Sequence, residues 1–244
     1  PWLCLSPFPP ISCPPLRMRS LRMAPIFPCP SFCFFFSLLF LNQVLSQNKI
    51  ISDFEVVRQK VSKNYFKKPG EALKDAFLLK NLAITDEEVI TAYQYLGYIY
   101  DLTGVSDSAR FYLNKRLFLT KKNFPKSEIY YQSVIDYSNW GIQYVDSNEL
   151  TSLLTKVLSE IDEEKFSQQK GLMFLLLGDV FMKDFDYRKA EYYYDKSFDL
   201  ITGKYVKVDY YYRKADVNIY RLNYPKAKDN LNKGIEALND KGVF

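Results

Sequence analysis

The side chains that most often carry out catalysis are scarce in this 244-residue sequence. It contains no histidine, and this removes the commonest general base and the commonest metal ligand. All of its cysteines precede residue 47, and they are Cys4, Cys13, Cys29 and Cys33. A pair of carboxylates is the simplest catalytic device that remains, and no two acids flank a glycine-lined segment that could form a pocket. We therefore expect no enzyme, no cofactor and no metal site.

Tyrosine is the most conspicuous polar side chain after residue 46. It occurs in runs at Tyr130-Tyr131, Tyr192-Tyr193-Tyr194 and Tyr210-Tyr211-Tyr212. Three neighbours on a helix point in three directions, so only one or two of each run can face a core. The rest either pack between structural layers or contact a bound peptide, a role in which tyrosine is common. We do not expect nucleic acid as a ligand, because acids offset the basic residues beside these runs.

The amino end has the composition of an export signal. Arg19 and Arg22 form a basic segment, an apolar run covers 32–41, and Ser46 precedes a predicted cleavage before Gln47. A membrane anchor is the alternative, but a bilayer span needs about 20 apolar residues. We therefore divide the chain into a Pro-rich leader and signal peptide over 1–46 and a mature part over 47–244, which we expect in the periplasm or outside the cell.

Two segments of the mature part share one pattern of residue types. Tyr93, Leu96, Gly97 and Tyr100 have the same spacing as Phe174, Leu177, Gly178 and Phe181. Twelve residues after each glycine comes an alanine, Ala109 or Ala190. This pattern resembles the tetratricopeptide repeat (TPR), a pair of α-helices that packs on the next pair. The resemblance implies that the small residues let the two helices approach closely and that Ala faces Gly. The residues that we expect to pack the repeats are Leu96, Gly97, Ala109, Leu177, Gly178, Ala190, Ala215 and Ala227.

Weaker copies of the pattern fill the remaining mature chain. When the copies are aligned through their matching alanines, the repeats start near 53, 90, 127, 171 and 208. The third copy requires an insertion around 140–148 that displaces its second helix. The resemblance therefore implies an all-α fold, a right-handed superhelical solenoid of about five helix-turn-helix repeats. Local signals agree with this fold, since Thr85 and Glu88 have the spacing of a capping box and Asp186 can cap a second helix.

In TPR proteins the first helices line a concave groove that binds peptides. Transferred by register, the expected groove positions are Gln94, Tyr98, Asp101, Tyr131, Leu175, Asp179, Tyr212 and Asp216. The alternative is that these are ordinary solvated helix residues. The clamp with which some TPR proteins hold a terminal carboxylate is absent at the matching positions. The acidic and aromatic carboxyl half of the groove would suit a basic or apolar segment.

Two functions follow from the resemblance. The first is a non-catalytic scaffold that binds a protein or peptide outside the cytoplasm. The second is the extracytoplasmic sensor half of a membrane-bound regulator, with a helix-turn-helix or histidine-kinase output beyond this sequence. A membrane would then be reached only through an uncleaved signal or a further carboxyl-terminal span. Ile235 and Leu238 give the last helix an apolar face, so we also expect possible self-association through the last repeat.

Overall fold

The computed structural model describes residues 53–239, and these form ten α-helices without a strand. The predictions for residues 1–52 and 240–244, including the export signal, concern residues outside the described part. The helices are α1 (53–64), α2 (Pro69–Leu82), α3 (Asp86–Leu102), α4 (Ser106–Asn123), α5 (Glu128–Tyr144), α6 (Ser147–Glu160), α7 (Glu163–Lys183), α8 (Tyr187–Ser197), α9 (Lys204–Tyr220) and α10 (Tyr224–Asn239).

The helices of residues 53–239 stack in chain order as five hairpins, which are α1–α2, α3–α4, α5–α6, α7–α8 and α9–α10. From α2 to α10 each helix packs against the next one, and α5 also packs against α7. Val61 of α1 joins the same core through a cluster with residues of α2 and α3. Each hairpin covers its apolar face with its neighbours, as repeat proteins do. The predicted all-α helical-repeat fold is therefore confirmed.

Hydrogen bonds at the helix starts explain where several helices begin. The Thr85 hydroxyl accepts a bond from the Glu88 N–H at 3.2 Å, and the Glu88 carboxylate accepts one from the Thr85 N–H at 3.0 Å. This is the capping box expected before α3. Asp186 caps α8 in the same way, by accepting a bond from the Lys189 N–H at 3.1 Å. These bonds satisfy N–H groups that have no partner within the helix.

Glycine allows the two helices of a hairpin to approach closely. A Cβ on Gly97 would lie 2.8 Å from Leu113 Cδ2, and one on Gly178 would lie 2.1 Å from Tyr194 Cε1. The nearest neighbours of both glycines are thus large side chains, not the alanines that we expected to face them. All eight predicted packing residues are nevertheless buried. The alanines lie one helical turn before the side chain that fills the space above each glycine.

The third hairpin differs from its prediction. Residues 140–148 are not an insertion, because α5 continues to Tyr144 and α6 begins at Ser147. Gly141 takes the role of the other glycines, since a Cβ there would lie 2.9 Å from Leu150 Cδ2. The sequence indicates the role of Gly141, because Tyr137, Gly141 and Tyr144 have the same spacing as Tyr93, Gly97 and Tyr100. Trp140 stands where the other two repeats have leucine, and this hides the match.

The last helix keeps an apolar row on its surface. Leu231, Ile235 and Leu238 of α10 are between 41% and 57% exposed. They follow one another at helical spacing on the same side as the buried Ala227 and Gly234, so this side of the last helix is only partly covered. Self-association through this helix stays a prediction.

The glycine contacts predict a large difference between two alanine substitutions. Gly178→Ala should lower the free energy of unfolding by about 1–3 kcal/mol, because the new methyl group overlaps the Tyr194 ring. Gly70→Ala, in the first turn of α2, is the control because no atom lies within 4 Å of its Cβ position. Urea denaturation of both variants measures the difference. Equal stability of the two variants would contradict the close packing at Gly178.

Candidate peptide-binding surface

The predicted groove residues lie on four first helices, but two of them are inside the core. Tyr131 of α5 and Leu175 of α7 are each 1% exposed. Tyr131 packs edge-on against Phe166, with ring centroids 5.0 Å apart. Tyr131 is buried because α5 is covered by α4, α6 and α7 at once. Leu175 is buried because it packs in a core cluster with Tyr194 and Tyr210. We therefore remove Tyr131 and Leu175 from the surface that can contact a ligand.

Gln94 and Tyr98 belong to a polar cluster between the second and third hairpins. The Gln94 side-chain amide donates to the Tyr98 hydroxyl at 3.0 Å. Burial raises the pKa of Tyr98 well above its usual value, and the nearby Asp136 carboxylate adds to the shift. Both residues are only partly exposed, so their polar groups are used within the protein.

The centre of this cluster is a buried ion pair that the sequence did not predict. The Arg116 guanidinium of α4 pairs with the Asp136 carboxylate of α5, and the two residues are 3% and 7% exposed. Gln132 also donates to Asp136, at 2.9 Å. Arg116 replaces the small residue that TPR sequences have at this position. This replacement of a small residue by arginine is the one feature of the sequence that could have indicated the Arg116–Asp136 ion pair. The pair joins two consecutive hairpins.

A second polar cluster joins the fourth and fifth hairpins around Asp179. Tyr194 donates its hydroxyl to Asp179 Oδ1 at 2.7 Å, and Arg213 Nε and Nη2 contact the two carboxylate oxygens at 2.8 and 2.9 Å. Arg213 also pairs with Asp209 on its own helix. Burial raises the pKa of Tyr194, and the charge of Asp179 adds to the shift. Asp179 is therefore neutralised by Arg213, a partner that sequence reasoning did not assign.

Three predicted residues lie at least partly on the surface of the first helices. Asp216 of α9 is half-buried, and no described residue forms a hydrogen bond or ion pair with its carboxylate. Burial raises the pKa of Asp216, the negative charge of Asp179 raises it further, and Arg213 opposes the shift. Tyr212, one turn earlier, is 44% exposed. Asp101, on the exposed end of α3, has a pKa raised by partial burial.

Residues 53–239 contain neither a cluster of metal-binding side chains nor a membrane-spanning helix. No group of three or more acidic, histidine or cysteine side chains there could hold a metal ion. No helix in this part combines the length and apolar character needed to cross a bilayer.

Comparison with known proteins identifies the fold. No protein-family model matches the sequence, and no curated protein is similar to it. Among solved structures, BtubC from P. vanneervenii superposes with a TM-score of 0.55 at 11% identity, over 81% of this chain and 94% of BtubC. MamA from Desulfovibrio magneticus RS-1 superposes with a TM-score of 0.51 at 14% identity, over 78% of this chain and 97% of MamA. A MamA double mutant gives 0.52 at 15% identity, over 79% and 98%.

The chain has a TPR-like helical-repeat fold. BtubC and MamA are both TPR-like helical-repeat proteins, and the alignments span nearly the whole of each. At this level of identity the likeness is one of fold alone.

The buried ion pair predicts unequal effects of single and double substitutions. Asp136→Asn should cost about 3–5 kcal/mol of stability, because it leaves the Arg116 guanidinium buried without a counter-charge. The double variant Arg116→Met, Asp136→Leu should lose much less, since neither buried charge remains. Denaturant unfolding of both variants measures the two losses of stability. If the double variant is the less stable of the two, the pair does not behave as a buried ion pair.

Proposed function

We propose that this protein is a non-catalytic scaffold that binds a segment of a protein partner on the surface of its first helices. Repeat proteins of this architecture present extended surfaces of this kind. The observation that carries the proposal is the carboxylate of Asp216, which is half-buried and forms no ion pair within residues 53–239. The nearby Arg213 guanidinium opposes the rise of its pKa only in part, because Arg213 is itself paired with Asp179 and Asp209. A half-buried charge without a partner lowers stability, so its presence is best explained by a ligand that supplies the counter-charge.

The ligand that suits this surface is a basic segment with apolar side chains. A lysine or arginine would pair with Asp216, and the exposed ring of Tyr212 offers an apolar face one turn away. Asp101 provides a second exposed carboxylate on α3. Asp179 is not expected to bind the ligand directly, because Arg213 already occupies both of its oxygens.

Substitution of Asp216 should change stability and binding in opposite directions. Asp216→Asn should raise the unfolding midpoint at pH 7, because the folded protein no longer holds a carboxylate whose pKa is raised by burial. The same change should weaken binding of a labelled peptide of alternating arginine and leucine by about tenfold, the loss of one partly buried charge pair. Thermal unfolding and fluorescence anisotropy measure the two effects.

The pH dependence of binding gives an independent check. Because the pKa of Asp216 is raised, its carboxylate is protonated at a higher pH than an ordinary aspartate. Binding of the arginine peptide should therefore be lost as the pH falls through that raised pKa, and Asp216→Asn should abolish this step. Asp199→Asn, an exposed aspartate between α8 and α9, is the matched control. Equal affinity of wild type and Asp216→Asn, with the step unchanged, would contradict the proposal.

We place this function outside the cytoplasm, a proposal that rests on residues 1–46 alone. The support is the basic segment, the apolar run and the small residue at Ser46. Expression of the full chain in a bacterial host should release a protein whose amino terminus is Gln47, as read by amino-terminal sequencing of the exported fraction. An uncleaved chain in the membrane fraction would instead indicate an anchor.

A further inference from the structure

The outward face of α4 differs in character from the surface of the first helices. The buried side of this helix carries Ala109, Leu113, Arg116 and Thr120, which pack on its neighbours. On the opposite side, Phe111 and Phe118 are 53% and 64% exposed. Two large apolar side chains therefore stand in solvent two turns apart, on a helix whose other side completes the core.

The exposed rings form part of a preformed notch. Phe111, Asn114, Lys115 and Phe118 line a shallow pocket on the surface of α4. Their spacing of i, i+3, i+4 and i+7 is that of the four residues that receive a side chain of a facing helix in knobs-into-holes packing. The pocket thus has the residue pattern of a hole that accepts one apolar side chain from another helix.

Basic side chains surround the notch. Arg110, Lys115, Lys121 and Lys122 lie on the same exposed half of α4. None of them forms an ion pair with a residue of the described chain, and Lys115 Nζ lies 5.5 Å from the centroid of the Phe111 ring. Asp107 is the single acid in α4. An occupant of this face should therefore be acidic.

We infer that the outward face of α4 is a second docking surface, and that its occupant is an acidic amphipathic helix of a partner protein. An apolar side chain of that helix enters the notch between Phe111 and Phe118. Carboxylates on either side of it meet Arg110, Lys115, Lys121 and Lys122. This surface is separate from the proposed site at Asp216, and it selects the opposite charge.

Two other occupants fit the observations less well. An anionic lipid surface would attract the same cations, but it has no discrete side chain to fill a four-residue notch. A second copy of this chain could offer the apolar row of α10, but Lys228 lies beside that row and would meet the like charges of α4. Both become outcomes of the test.

The test uses designed helical peptides as probes. Each has about 20 residues, long enough to form a helix in water, with leucines along one stripe. One peptide carries glutamates beside the stripe, a second carries lysines there, and a third has alanines in place of the leucines. By fluorescence anisotropy the glutamate–leucine peptide should bind the purified protein at least about tenfold more tightly than either of the others, with affinity falling as salt rises.

Exposed substitutions locate the binding site without disturbing the fold. Lys115→Glu and Phe118→Ser should each weaken the glutamate–leucine peptide by about tenfold, because they remove a counter-charge and one wall of the notch. Lys156→Glu, on the exposed side of α6, makes the same charge change elsewhere and should leave the affinity unchanged. Circular dichroism confirms that each variant remains folded.

Four results would overturn the inference. In the peptide experiment, these are undetectable binding of the glutamate–leucine peptide and equal binding of all three peptides. With the variants, it is an equal loss of peptide affinity in Lys156→Glu and Lys115→Glu. In sedimentation, it is a dimer of the wild-type protein that Lys115→Glu dissociates. Vesicles of phosphatidylglycerol provide a further comparison. If they bind the protein through Lys115 and Phe118 while the peptide does not, the surface is one for lipid and the inference fails.

Discussion

The close approach of the two helices within a hairpin is the constraint on which the rest of the structure depends. At Gly97, Gly141 and Gly178 the second helix presses a large side chain onto the backbone of the first. This contact leaves no space for a side chain and fixes the separation of the two helices. Once the separation is fixed, the apolar faces of consecutive hairpins meet in order, and the stack forms without β-structure in the described chain.

Polar contacts between hairpins then decide which side chains are free to bind. Arg116 with Asp136, and Arg213 with Asp179, join consecutive repeats across the surface on which a ligand was expected. These side chains are needed for the stability of the fold, because removing one partner of a buried ion pair lowers the free energy of unfolding by more than the intact pair contributes to it. Asp216 lies beside the second pair but takes no part in it. Because α4 packs on its neighbours through its inner side, its outer side faces away from the core, and the basic and aromatic residues there are exposed.

The fold could be predicted further than the site. Helix pairs were recognisable because small residues at fixed spacing are a requirement of the packing itself, as at Gly97 and Gly178. The third pair was misread because Trp140 replaces leucine, although Gly141 kept its place. The site was harder, because register alone does not say how many neighbours cover a helix. The register of TPR proteins predicts that Tyr131 lies on the surface, whereas α5 is enclosed by three helices and Tyr131 is buried. Arg213 and Asp179 meet from positions 34 residues apart, a contact that no local pattern encodes.

The packing at the three glycines is tested most directly by nuclear Overhauser effects in the folded protein. The account predicts strong effects from the Hα protons of Gly178 to the ring of Tyr194, with an upfield ring-current shift. It also predicts effects from Gly97 to the methyl groups of Leu113 and from Gly141 to those of Leu150. Effects at Gly97 and Gly178 without the one between Gly141 and Leu150 would contradict the third hairpin. Absence of all three would contradict the stack.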